Sequence, residues 1–371
     1  MRIVLTVLRY LPALGGSTRL VQLLGEGLAA RGHLVTVVTQ EEPDTPSEEE
    51  IQGVRVLRLG MRYVGGFRIP RGYLGLLRSL EADVFHVHGN RIWCADYYLP
   101  LARSFVWPQV ITPIGFYHYF MRRGLLRWLY YDRYLPGRLR AFDGYVALTE
   151  GERAQVVRWK YPERRIRVIP IGIDLAEFDH PSGDLGAVRA GWGLSTPHIA
   201  LYTGGMYDNK RVDRLVRAVA ATQGEWGLVV VGEDVPGTQY DRAHCEALAR
   251  TLSAPVRFLG PQPRQNVLDA LYASDAYLQG SEFEGFGISL LEAMAAGRPF
   301  VAFDAGAARE LSRTGAGICV GSEAEMAREL HALPDRLQEV GKVARRAVRE
   351  YSAGRMVDRH LELYRQIQPG A

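Results

Sequence analysis

The sequence predicts an α/β protein of two doubly wound domains, and three observations carry that expectation. Strand and helix patterns alternate in two separate series along the chain. Most of the strand patterns are short apolar runs ending in glycine or a polar residue, as in a parallel sheet covered on both faces. At 371 residues the chain exceeds the size at which one core keeps growing, so two cores are the default.

The first series opens with "RIVLTVL" (Arg2 to Leu8) and the glycine loop "PALGGSTR", which carries Gly15 and Gly16. A helix pattern follows from about Thr18 to Arg31, with Leu20, Leu23, Leu24 and Leu28 on one face. Gly32 stops it before the strand "HLVTVVT", which completes a βαβ unit. "DVFHVHG" (Asp83 to Gly89), "PQVITPIG" (Pro108 to Gly115) and "GYVALT" (Gly144 to Thr149) read as further buried strands. The second series runs through "HIALYTGG" (His198 to Gly205), a helix from Arg211, "GLVVVGE", a helix from about Asp241, "VRFLG", "DAYLQG", "PFVAFD" and "GICVG". The boundary lies near "VIPIGIDLAEFDHPSGD", giving domains of 1–175 and 176–354, with a last helix over 355–371 expected to return to the first domain.

Composition narrows the partners. Apolar content of 47% and charged content of 23% fit a folded enzyme and argue against disorder. A net charge of +4 favours anionic ligands or surfaces without choosing among them. Cys94, Cys245 and Cys319 are too far apart for a disulfide framework or a zinc site, so a reducing cytoplasm is expected. No apolar run reaches the ~18 residues needed to span a bilayer. "MRIVLTVLRY" is interrupted at Arg9 and reads as the first strand rather than a signal peptide.

The stretch most informative about chemistry is "SEFEGFGISLLEAMAAG", Ser281 to Gly297. Two glutamates, Glu284 and Glu292, flank the turn Gly285-Phe286-Gly287. The helix beginning near Ile288 would aim its unpaired N–H groups and positive dipole end into the space above the preceding strand, a place for an anion. Lys210, after the glycine strand end at Gly204 and with Arg211 beside it, is the candidate cation to meet such an anion.

These residues carry a resemblance. "SEFEGFGISLLEAMAAGRPFVAFDAGAARE" resembles the signature of the retaining glycosyltransferases of family four. "RIRVIPIGIDLAEF" is similar to that family's interdomain segment, with Ile171 in place of the usual Asn. "LYTGGMYDNKRVDRLVRA" resembles its phosphate-binding stretch, with Gly205 where the family has arginine, so Arg211 or Arg19 is the candidate second cation. The resemblance implies the GT-B fold, two Rossmann-like domains facing across a cleft. It implies that Glu292 accepts from a ribose diol, that Glu284 holds donor-sugar hydroxyls or steadies charge at the anomeric carbon, and that Gly15, Gly16, Gly204, Arg211, Gly285, Phe286, Gly287 and Ile288 line the donor site. It also implies retention of configuration with no dedicated nucleophile and no metal or other cofactor.

Near the acceptor the family carries a histidine where this chain has Ile114, and His88 or His118 is the candidate to replace it. His86 and His88 are read as facing opposite sides of their strand, one of them a satisfied core histidine. The segment 116–142 interleaves Arg122, Arg123, Arg127, Arg133, Arg138 and Arg140 with aromatics. Two readings stand: a surface resting on anionic lipid or a lipid-pyrophosphate acceptor at the inner face of a membrane, or a helix whose aromatics pack while its arginines are solvated. No nucleic-acid module accompanies it.

The expected function is transfer of a hexose or hexosamine from a nucleotide sugar, uridine-linked by preference, to a glycan or lipid-linked acceptor. The rivals are a sugar-nucleotide epimerase or phosphorylase of similar shape, and a sugar-nucleotide binding protein without turnover.

Overall fold

The structure, a computed structural model, describes residues 1–13, 15–64, 67–89, 93–114, 128–181 and 183–368. The chain forms two compact units. Unit 1 comprises Met1–Gly172 together with the residues from Ala353 onward, and unit 2 is Ile173–Ser352. The junction falls at Gly172/Ile173 rather than after 175 because Ile173 is held by the far end of its own unit. Its N–H donates to the Tyr351 carbonyl at 2.9 Å and it pairs in parallel with Ser352.

Unit 1 is built on an eight-stranded sheet. Its strands are β1 (Arg2–Thr6), β2 (Leu34–Gln40), β3 (Glu48–Ile51), β4 (Val54–Leu59), β7 (Val84–His88), β8 (Gln109–Thr112), β9 (Gly144–Ala147) and β10 (Ile166–Val168). The order is β10-β9-β8-β7-β1-β2-β4-β3, and every pairing is parallel except β3 with β4. The hairpin β5 (Met61–Val64) and β6 (Phe67–Pro70) stands apart from it. The sequence pattern passed over β3, whose "EEEI" lacks a buried face. At the sheet edge it needs none, and its charges discourage further pairing.

The helix Gly16–Ala29 buries Leu20, Leu23, Leu24 and Leu28, the stripe expected from the sequence. The last helix, Ala353–Gln366, packs on the same unit, where Val357 sits against the bare Cα of Gly27 and the Arg31 guanidinium pairs with Asp358 at 2.9 Å.

Unit 2 has one six-stranded parallel sheet: β11 (His198–Thr203), β12 (Trp226–Val231), β13 (Val256–Gly260), β14 (Ala276–Gln279), β15 (Phe300–Phe303) and β16 (Gly317–Val320). The order is β13-β12-β11-β14-β15-β16. The chain winds outward from β11 to β13, then returns to β14 and winds the other way. The carboxyl ends of β11 and β14 therefore flank a reversal of strand order, where open α/β sheets leave a crevice for ligands. The β1 and β7 ends are the corresponding point of unit 1.

Candidate active site

The loops leaving β11 and β14 lie against each other. Gly280, just after β14, has no side chain because a Cβ there would run into the Arg211 backbone carbonyl. The Asn209 amide donates to the Phe283 carbonyl at 3.0 Å, and the Glu282 N–H to the Asn209 carbonyl at 2.8 Å. Gly287, at φ 99°, turns the chain into the helix Ile288–Ala295, which carries no side-chain N-cap and no acidic residue in its first turn. Its leading N–H groups and dipole thus remain available to an anion.

Lys210 and Glu284 meet across this contact. The Lys210 ammonium lies 2.5 Å from Glu284 Oε1, which also accepts from the Ser281 hydroxyl at 2.7 Å. Both side chains are mostly buried, at 25% and 12% exposure, so the pair is shielded but reachable by a ligand. Arg211 adopts a left-handed conformation at φ 47° and is held by Asp213 through two bonds of 2.9 and 3.0 Å, with its guanidinium 4.4 Å from the centre of the Tyr240 ring. These contacts direct it to Asp213 and Tyr240. At Gly205 a side chain would run into the Tyr207 ring, which covers the position where the family has arginine.

Glu292 projects from the first turn and a half of its helix and accepts from Arg264 at 2.6 Å. Arg264 in turn pairs with Glu177 at 2.7 Å and lies over the Phe178 ring. Sequence reading missed Arg264 and Glu177, since residues 87 and 28 positions apart from Arg264 carry no linear pattern. Ser281 was legible only as part of the motif.

In unit 1, Gly15 precedes the uncapped helix Gly16–Ala29, and a Cβ on it would meet nothing within 4 Å. His88 ends β7, but it does not face away from His86. Residues two apart in a strand share a face, and the two rings lie 3.9 Å apart, both fully buried. His86 bonds the Tyr364 hydroxyl at 2.7 Å and the Thr112 hydroxyl at 2.8 Å. His360 of the last helix, bonded to the Met356 carbonyl at 2.8 Å, lies 5.6 Å from the His86 ring.

Burial drives all three histidines toward the neutral form. His86 falls well below its usual range, with further lowering from His88 and His360, while His88 falls to about 3 and His360 to about 4. His88 thus belongs to a neutral cluster fastening the last helix. Ile114, at φ 57°, is a β-branched residue in a conformation such residues avoid, separated from the end of β8 by Pro113. His118, Arg122, Arg123 and Arg127 lie outside the described residues. Of the remainder of that segment, Trp128 is half-exposed and precedes a π-helical turn at Leu129–Tyr134, with the Arg138 guanidinium 5.3 Å from the Tyr134 ring centre. Among the described residues no helix is long and apolar enough to cross a membrane.

Two α/β units, one on a largely parallel sheet and one on a wholly parallel sheet, each with a strand-order reversal, make up the GT-B fold of glycosyltransferases. Residues 188–346 match the family described as glycosyl transferases group 1, and residues 14–177 match glycosyltransferase family 4. The chain belongs to that family. It is 36% identical over 214 residues to a D-inositol 3-phosphate glycosyltransferase of Nocardia farcinica, a match spanning 54% of this chain and 47% of that protein. It is 26% identical over 352 residues to a GDP-mannose:cellobiosyl-diphosphopolyprenol alpha-mannosyltransferase of Xanthomonas oryzae, covering 91% of this chain and 87% of the other. Among solved structures, the sucrose-phosphate synthase of Thermosynechococcus elongatus superposes with a TM-score of 0.81 at 23% identity, over 99% of this chain and 98% of that one.

Proposed function

We propose that the protein transfers a hexose or hexosamine from a nucleoside-diphosphate sugar to a glycan or lipid-linked acceptor, with retention of anomeric configuration and without a metal. The observation that carries this reading is the Lys210–Glu284 pair beside the N-terminus of Ile288–Ala295. A diphosphate entering there gains the helix dipole and competes with Glu284 for the ammonium, which frees the carboxylate for donor-sugar hydroxyls.

In the transfer step the bond from the anomeric carbon to the diphosphate oxygen breaks as the acceptor hydroxyl oxygen bonds the same face. The acceptor proton passes to the departing phosphate oxygen, and Lys210 and the helix amides stabilise the charge that develops on it. Arg264 holds one oxygen of Glu292 and leaves the other for a ribose diol. Arg211 serves the same reading indirectly, by fixing the backbone that follows Lys210. A lipid-linked acceptor accords with the activity named for the Xanthomonas relative and suits a cytoplasmic enzyme working at the inner face of a membrane.

The base is open between two donors, a uridine-linked sugar on the sequence expectation and a guanosine-linked one by likeness to the same relative. Calorimetric titration with UDP, GDP and their sugars, each with and without EDTA, tests the donor reading. Tight binding of one nucleotide, unaffected by EDTA, is expected. Binding of none, or binding abolished by EDTA, would overturn it. Anomeric analysis of the product by proton NMR tests retention.

A further inference from the structure

The amino ends of β14 and β15, at the edge of the sheet opposite the Gly287 turn, carry a second cationic region that the transfer chemistry does not use. A groove of about 510 Å³ is lined by Arg298, Arg345 and Arg349 and by the apolar faces of Phe178, Tyr272 and Val348. An adjoining hollow of about 420 Å³ shares Arg298 and Arg345 and adds Lys342.

The four cations have little to balance them. The carboxylates lining the two hollows are Asp179 and Asp275. Asp275 already accepts from Arg189 at 2.8 Å and from the Ile199 N–H at 2.7 Å. Arg298 donates one N–H to the Tyr272 carbonyl at 2.7 Å, while its Nε is buried with no hydrogen-bond partner. Arg345 donates to the Ala296 carbonyl at 3.2 Å. Among the described residues neither guanidinium is in an ion pair, so both meet carbonyls where an anion would serve better. Burial, above all, and the neighbouring Arg345 lower the pKa of Arg298 against the pull of Asp275. A desolvated guanidinium lacking a counter-charge is costly, and a bound anion offsets that cost.

We propose that this groove binds a phosphate-bearing small molecule, its phosphate on Arg298, Arg345 and Arg349 and its remaining portion against Phe178 and Val348. Guanidinium groups suit phosphate oxygens through paired, charge-assisted bonds, and the volume fits a small ligand. The same groove is lined by both ends of unit 2, residues 175–181 shortly after Gly172 and 345–349 shortly before Ala353. An occupant is therefore in a position to influence the turn that carries Glu177, the partner of Arg264.

The test titrates the full chain with glycerol 3-phosphate by calorimetry at constant ionic strength, and pellets it with phosphatidylcholine vesicles with and without phosphatidic acid. Wild type, Arg345→Glu/Arg349→Glu, the milder Arg349→Gln and Lys210→Ala are compared, with circular dichroism to establish folding. Arg345 and Arg349 are exposed, so their replacement should leave the fold intact. Binding is expected to survive Lys210→Ala, to weaken at least about tenfold in the double variant, and to weaken less in Arg349→Gln. Glycerol 3-phosphate binding without pelleting would assign a free metabolite, and pelleting lost in the double variant would assign a lipid headgroup. Equal affinity in wild type and double variant, or no binding of either probe, would overturn the proposal. A loss confined to Lys210→Ala would locate the phosphate at the β11 loop and overturn it equally, whatever became of the donor reading.

Discussion

The two units reverse their strand order in the same way but fill the reversal point with opposite chemistry. In unit 1 the end of β7 carries His86 and His88, fully buried, joined by ring contacts and hydroxyl bonds to the last helix. In unit 2 the ends of β11 and β14 carry Lys210 and Glu284, with Glu292 and Arg264 beyond them, all charged groups that keep some contact with solvent. Desolvation explains the division. Buried histidines shed their charge and become neutral hydrogen-bonding groups, whereas partly solvated ion pairs can exchange one partner for a ligand. One reversal point is an internal fastening, and the other holds partly solvated ion pairs.

The largest test of this contrast is Lys210→Ala, which should lower turnover about 10²–10³-fold with a smaller change in donor affinity, read from steady-state kinetics at saturating acceptor. Unchanged turnover would mean that the pair is structural and that the two units are alike after all. Next, Glu292→Ala and Arg264→Ala should each weaken nucleotide binding about tenfold, with Arg264→Lys recovering part of it, measured by titration. If Arg264 only supports the fold, its replacement will shift melting and leave affinity alone.

Acid provides the third test. The histidines have folded-state pKa values below their unfolded values, so their contribution to stability is present above about pH 6.5 and is lost as pH falls toward about 4. Glu152 opposes them. Burial raises it to about 7, so its contribution is present below its unfolded value and lost as pH rises through 7. His33, also lowered chiefly by burial, acts with the three, so melting temperature should fall between pH 7 and pH 5, and replacing His360 with Phe should reduce the slope. A flat profile would argue that unit 1 does not owe its fastening to neutral histidines. The smallest effect is expected for Tyr364→Phe, which removes the bond to His86 at a cost of about 1 kcal/mol, or about 2–4 °C in melting. Nucleotide affinity should not change.

Much of this was legible in the sequence. The stripe Leu20, Leu23, Leu24 and Leu28 announced its helix, and the alternation of buried strands with glycine ends announced the parallel sheet of unit 2 and the parallel part of the unit 1 sheet, though not the antiparallel edge strand β3. Glu284, Gly287 and Lys210 stood out as strand-end loop residues beside glycines, and the structure brings Lys210 and Glu284 together. Arg264 and Glu177 were not, because an ion pair between residues far apart in sequence exists only after folding. The His86–His88 pair was misjudged through the strand's two-residue period, which puts alternate side chains on one face. The groove of Arg298, Arg345 and Arg349 was invisible too, since arginines on a strand end and a distant helix declare nothing about each other until the sheet is built.

The pairing of Ile173 with Ser352 means that unit 2 leaves and rejoins unit 1 at neighbouring points, as an insertion. This has a consequence for synthesis. Unit 2 is complete in sequence once Ser352 has emerged from the ribosome, whereas unit 1 still lacks Met356, His360 and Tyr364, whose helix covers its central strands. The half of the protein that is translated second is thus the first able to close its core, and unit 1 must wait with His86 uncovered until the last helix arrives.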